Sequence, residues 1–282
     1  MKLYYDTRVS KSYELQTKAF FIPLMTYLQK HHDCTLRQLN TQFPQKGFVK
    51  YLESCIEAGW IFRKERRYGV ALPFYTQAKV EEVWQQPQFK ELFSQLAALA
   101  DSELAALLQQ LKDCQPPTPY LVADDVALGH LQEAGLAGEL QLFSLVTKTS
   151  SADLAGFFVA NRHLEEPERY EALARLVGDV DEEYYFQQVQ WILSRVGKGK
   201  EPKESIFHES LQVTGILSGT NQLQIPYLRN LTESADLISK ITSLNHFEMG
   251  VLLGETCEKR FNGLFQWFYK EKILLKKEKE NN

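Results

Sequence analysis

In this chain of 282 residues no uninterrupted apolar run approaches the ~20 residues that a membrane-spanning helix requires. The opening residues, MKLYYDTRVSKSYELQ, contain no apolar block of the secretory type, so a cytoplasmic protein that stays out of the membrane is expected. Cysteine is scarce. Cys34, Cys55, Cys114 and Cys257 stand far apart, and none falls in a CxxC or Cys/His pair with zinc spacing. Buried, reduced thiols are the expectation.

The short signatures of common chemistries are absent too. There is no GxSxG, no HExxH and no Rossmann fingerprint. Gly197, Lys198, Gly199 and Lys200 lack both the GxxxxGK[ST] spacing and the strand-to-helix frame of a phosphate loop, and predict an exposed loop instead. His163, His208 and His246 are scattered, with no Cys, Ser or Asp set beside any of them, so none is nominated as a base. No internal repeat is visible. No catalytic residue, metal ligand set or cofactor can be assigned on these grounds, and a non-enzymatic role is favoured.

What is there is a division of charge. Residues 1–78 hold seven Lys and five Arg against two Asp and four Glu, a net of +6; the whole chain is −4, so residues 79–282 carry −10. Asymmetry of this kind points to a nucleic-acid-binding domain joined to one with another task.

The basic part has a recognisable order. Phe20, Phe21, Leu24, Met25, Tyr27 and Leu28 recur at helical spacing and predict an amphipathic helix over 17–31. Thr35 with Gln38 forms a capping box for a second helix, whose buried face is Leu36, Leu39 and Phe43 and which stops at Pro44. Phe48, Leu52, Cys55 and Ile56 mark a third helix, ending at Gly59 in a left-handed cap. Trp60, Ile61 and Phe62 then start a strand, RKERRYG turns tightly, and Tyr68–Leu72 returns. Helix, helix, turn, helix and two-stranded wing is the order of a winged helix-turn-helix.

Residues 79–96 and 101–113 predict two connecting helices before QPPTP breaks the pattern. The expected domains are therefore 1–78, a winged helix; 79–118, connecting helices and a Pro-rich linker; and 119–282, an α+β domain of unknown role. In the last, PYLVA and LQLFSLV predict short strands, and Ser150 with Asp153 caps a helix through Ala160. Pro167–Val177 is a helix, and Asp181 caps a longer one through Val196 with Tyr184, Tyr185, Val189, Ile192 and Leu193 as its apolar side. LQVTGIL and LQIPYL around SGTNQ predict a β-hairpin, with Pro226 favouring an edge. Thr232 caps a helical C-terminus that ends in a charged tail. The fold class is helix-rich α+β.

In a winged helix the third helix enters the major groove N-terminal end first and the wing meets the backbone. Lys46 and Lys50 lie at that leading end, and Arg63, Lys64, Arg66 and Arg67 crowd the wing, with the Tyr68 hydroxyl able to donate to a phosphate oxygen. Glu53 and Glu57 on the same helix face oppose this, because phosphate repels carboxylates. Duplex DNA is the leading partner of a regulator whose second domain dimerises or senses a ligand, and the helices between 79 and 113 are the natural place for pairing in a homodimer. One alternative is a protein–protein adaptor that uses the winged helix for docking. Another is a metal-dependent phosphate-processing enzyme built on Asp179, Asp181 and Glu183, although Asp181 as a helix cap followed by two glutamates explains that cluster more simply.

The run Phe20–Leu72, above all TLRQLNTQFP followed by IEAGWIFRKERRYGVALP, resembles a small uncharacterised family from lactic-acid bacteria. The resemblance covers the first third of the chain and implies no activity, cofactor or catalytic residue.

Overall fold

The computed structural model describes residues 2–4, 15–112, 119–136, 139–147, 150–162, 170–231 and 235–270. Most of the proline-rich linker, Cys114, His163, Pro167, Thr232 and the charged tail lie outside them. The fold is helix-rich α+β. Among the described residues no helix is long and apolar enough to cross a membrane. The chain forms two compact units, residues 1–85 with 114–126, and residues 86–113 with 127–282.

The first unit opens with β1 (Lys2–Tyr4) and then α1 (Phe21–Lys30), which buries Phe21, Leu24, Met25 and Leu28 as its periodicity requires. A two-residue strand β2 (Cys34–Thr35) leads into α2 (Leu36–Gln42). Thr35 caps α2 through its hydroxyl while the Gln38 side chain reaches back to the Thr35 backbone, so the predicted capping box is formed. Helix α3 (Phe48–Glu57) buries Phe48, Tyr51, Leu52 and Cys55. It ends at Gly59, φ +73°, where the Trp60 N–H donates to the Cys55 carbonyl; only a residue without a Cβ takes this conformation without strain.

Strands β3 (Ile61–Lys64) and β4 (Arg67–Val70) form the hairpin, and β2 adds to its far side in the order β2-β4-β3. A second small sheet, β1-β6-β5, joins β1 to β6 (Tyr120–Val122) and β5 (Phe74–Tyr75), and α4 (Gln77–Trp84) follows β5. PYLVA is thus a strand as expected, and its partners are the first unit's own short strands. One apolar core under α1, α2, α3 and the hairpin includes Trp60, Tyr68 and Leu121.

The second unit is built around the four-stranded sheet β7-β8-β10-β9: β7 (His130–Gly135), β8 (Leu140–Val146), β9 (Tyr227–Leu228) and β10 (Leu264–Lys270). Every residue of β8 is buried, which is why LQLFSLV reads as a continuous run instead of alternating. Helices α5 (Pro87–Ala98) and α6 (Asp101–Leu111) belong to this unit. The Gln109 side chain of α6 accepts from the Trp267 indole N–H of β10, 3.1 Å away. On the opposite face, α7 (Leu154–Arg162), α8 (Glu171–Val177), α9 (Glu182–Val196) and α10 (Ile206–Val213) close a second core over Ala134, Leu142 and Phe268. Helices α11 (Ala235–Thr242) and α12 (His246–Phe261) precede β10.

Three elements differ from those expected from the sequence. The first half of the supposed hairpin is helical: Ser205 caps α10 by accepting from the His208 N–H, and Gly215, φ +70°, follows the helix end. Only a single bridge, Leu217 with Leu223, remains of the hairpin, while Tyr227 and Leu228 join the sheet as its edge strand, consistent with Pro226 beside them. The C-terminus is not all helical. After Asn262, φ +51°, and Gly263, φ +88°, the aromatic run LFQWFYK becomes β10 between β8 and β9. Finally, Tyr184 leaves the apolar side of α9, being 51% exposed, and Phe186 is buried instead.

Candidate nucleic-acid interface

The start of the third helix and the hairpin bring Lys46, Lys50, Arg63, Lys64, Arg66 and Arg67 to the surface of the first unit. Lys46 and Lys50 are exposed at the start of α3. That helix begins at Gly47, φ +95°, with no side chain capping it and no acid in its first turn. The Phe48 N–H donates to the Gln45 carbonyl at 3.3 Å, and no carboxylate of the first turn offsets the positive end of the helix dipole, a setting that favours an anion. Val49 stands 47% exposed between the lysines.

The hairpin turns in two residues, with Lys64 opposite Arg67. Glu65 and Arg66 at its tip both have positive φ, 51° and 64°, as the primed turn that matches strand twist demands, although neither is a glycine. Arg63, Lys64, Arg66 and Arg67 are all exposed. Two of them are partly engaged within the unit. Arg63 pairs with Glu53 at 3.7 Å, and Arg67 donates to the Asp33 carbonyl at 3.1 Å. The first contact also answers part of the objection raised by the acids on α3, because the Glu53 carboxylate faces a guanidinium and not open solvent alone.

Tyr68 does not belong to this surface. It is 1% exposed and packs in the core, with the Arg63 guanidinium 5.7 Å from its ring centre. The strand alternation explains the correction: Ile61, Arg63, Tyr68 and Val70 share one face of the hairpin, and Phe62, Lys64, Arg67 and Gly69 the other. Its hydroxyl is not available to a phosphate.

Behind the hairpin lies a groove of about 430 Å³ lined by Leu28, Gln29, Asp33, Phe62, Val70 and Phe74, among others. The Phe62 ring crosses Gly69 so closely that a Cβ there would strike it. The Gln29 Nε2 is buried and has no hydrogen-bond partner among the described residues.

In the acidic cluster of the second unit, Asp179 and Glu183 are exposed, while Asp181 and Glu182 are engaged by the fold. Asp181 accepts from the Tyr184 N–H at 3.0 Å, and Glu182 holds Arg162 at 2.5 and 2.8 Å and the Gly135 N–H at 2.6 Å. Those bonds to Glu182 hold the Arg162 guanidinium above its ordinary pKa. No group of three His, Cys, Asp or Glu with metal-binding geometry occurs among the described residues. His208 bonds to Asn221 at 2.6 Å. Deeper in, Asp153 is 1% exposed and accepts from the Gly156 N–H, and a Cβ on Gly156 would collide with Asp153, Tyr170 and Gln132. Nothing in sequence spacing announces this convergence, since Gln132 comes from β7 and Tyr170 from beyond α7. Of the cysteines, Cys34, Cys55 and Cys257 are buried; the Cys34 thiol donates to the His31 carbonyl, and burial pushes the Cys55 thiol up to about 11.

Residues 2–111 match the model of a family described as Domain of unknown function (DUF1803). No curated protein and no solved structure matches the chain.

Proposed function

We propose that the first unit is a winged helix-turn-helix that contacts duplex DNA, and that the protein is a DNA-binding regulator whose second unit pairs copies of the chain or senses a ligand. The DNA-contacting domain corresponds to residues 1–78. One observation carries this reading: Lys46 and Lys50 stand exposed at the uncapped start of α3, in the same unit as an exposed hairpin bearing Lys64, Arg66 and Arg67. The helix order and the pairing of β2 with the hairpin support the winged-helix part. In this reading α3 enters the major groove with its lysines first, and the hairpin cations neutralise backbone phosphate.

Binding to mixed-sequence duplex DNA titrated with salt tests it. Removing each phosphate contact flattens the log–log slope by ~0.9, so Arg66→Ala with Arg67→Ala is expected to flatten it by ~1.8. Unchanged affinity and slope in that double variant sink the proposal.

A second reading, an adaptor that docks a protein, is favoured by a different observation: the groove behind the hairpin exposes Phe62 and Phe74 beside the unsatisfied Gln29 amide. A pulldown that survives replacement of Arg66 and Arg67 and fails in Phe62→Ser supports it over DNA binding.

A further inference from the structure

Helix α9 holds the core with one side, through Tyr185, Phe186, Val189, Ile192 and Leu193. Its other side carries Trp191, 70% exposed and the most exposed large apolar side chain among the described residues, and Tyr184, 51% exposed. Arg195 lies one turn beyond. Trp, Tyr and Arg are the residue types that dominate binding energy at protein interfaces. Two of the three are held in place within the chain: the Tyr184 ring meets Phe207 edge-on at 5.8 Å, and the Arg195 Nε–H donates to the Glu201 carbonyl at 2.9 Å. Helices α5 and α6, expected from sequence to pair, have spent their apolar faces internally. Helix α6 buries Leu104 through Gln109 and Leu111.

The exposed positions on α9 are 183, 184, 187, 191, 194 and 195. Four of them, 184, 187, 191 and 194, step by three, four and three residues, the spacing of a helix–helix seam, with 183 and 195 flanking them. They are also symmetric about Val189: Glu183 mirrors Arg195, Tyr184 mirrors Ser194, and Gln187 mirrors Trp191. A second α9 laid antiparallel across this one by a two-fold axis would therefore place every exposed position on an exposed position. Each Glu183 would meet an Arg195, and each Trp191 a Gln187. In that arrangement the exposed loop lysines Lys198 and Lys200 would lie at the acidic Asp179–Asp181 end of the second copy. Acid at one end and base at the other makes the antiparallel arrangement the complementary one, and a parallel pairing would set like charges together.

We propose that this face of α9 is a self-association surface whose occupant is the same face of a second copy of the chain. The proposal rests on the pairing role suggested above for the second unit and is independent of whether the first unit holds DNA.

Sedimentation equilibrium of the full chain at ~100 μM, where an interface of micromolar affinity is filled, is expected to show a dimer. Trp191→Ala should give a monomer, with unchanged circular dichroism because the side chain lies outside the core. Glu183→Arg and Arg195→Glu should each weaken the dimer at least ~10-fold, and the two together should restore it by reversing both partners of the ion pair. A wild-type monomer overturns the proposal and gives the stripe to a different protein. A dimer that survives Trp191→Ala, or a double exchange that fails to restore pairing, overturns it as well. The salt slope for DNA, measured on the Trp191→Ala monomer, separates failure of the pairing from failure of DNA binding.

Discussion

In the first unit the sheets are short ribbons, with strands of two to four residues, and the cations stand outside on α3 and the hairpin. In the second unit β8 and β10 pair over seven residues each, β8 is buried throughout, and the buried polar set includes Gln109, Gln141, Ser144, Asp153 and Gln266. The contrast concerns where each unit can tolerate change. A unit whose exposed chemistry sits on a hairpin tip can exchange that chemistry with little effect on its core. A unit that threads polar side chains and bare backbone between close-packed layers cannot.

The largest effect should come from breaking the second unit at a glycine. A Cβ on Gly129 would lie 2.5 Å from the Gly254 backbone nitrogen of α12, and backbone cannot step aside. Gly129→Ala is expected to cost about 3 kcal/mol or more, seen in denaturant unfolding and in lost amide protection across β8 and β10. Gly59→Ala in the first unit meets open space, so only the strain of its φ of +73° applies, about 1 kcal/mol. Equal losses at the two positions would erase the contrast.

Alkaline pH supplies the next test. The Cys55 thiol rises from an ordinary 9.0 to about 11 in the folded chain, with burial the main cause. A raised pKa means that the folded state holds the proton more tightly. The stability this thiol contributes is therefore fully present below pH 9 and is lost as pH climbs through about 11, by about 2 to 3 kcal/mol if the unfolded thiol is ordinary. Cys55→Ala should flatten that part of the stability–pH curve. Burial raises the phenols of Tyr51 in the first unit and Tyr185 in the second as well, so both add to the loss at still higher pH.

The smallest change sharpens the picture of the hairpin. Glu65 and Arg66 occupy left-handed positions that suit Asn and Gly. Glu65→Asn with Arg66→Gly should raise the unfolding free energy by about 1 kcal/mol. If the hairpin meets phosphate, the same variant should also lower the DNA salt slope by ~0.9, so that stability and affinity move in opposite directions.

The candidate interface was largely legible because its determinants are local. Thr35 with Gln38, the apolar spacing of α3, and Gly59 each act over one or two helical turns. The inward turn of Tyr68 was harder to foresee, since a strand's alternation tells which residues share a face but not which face meets the core. Helix α10 was missed for a related reason. Its LQV segment also suits a strand, and the Ser205 cap and the left-handed Gly215 decide the outcome.

By itself, then, the amino-acid order determined the separation of charge, the helix–helix–helix–hairpin succession of the first unit, the Asp181 cap of α9 and the helix-rich α+β class, all consequences of periodicity and capping within a few residues. Only the tertiary structure decided that LFQWFYK is a strand, that Gln132, Asp153 and Tyr170 converge on Gly156, that Arg63 answers Glu53, and that Tyr184 stays outside. These outcomes depend on contacts between residues distant in the chain, or on which face of an element the rest of the fold covers. Spacing along a sequence carries no direct record of either.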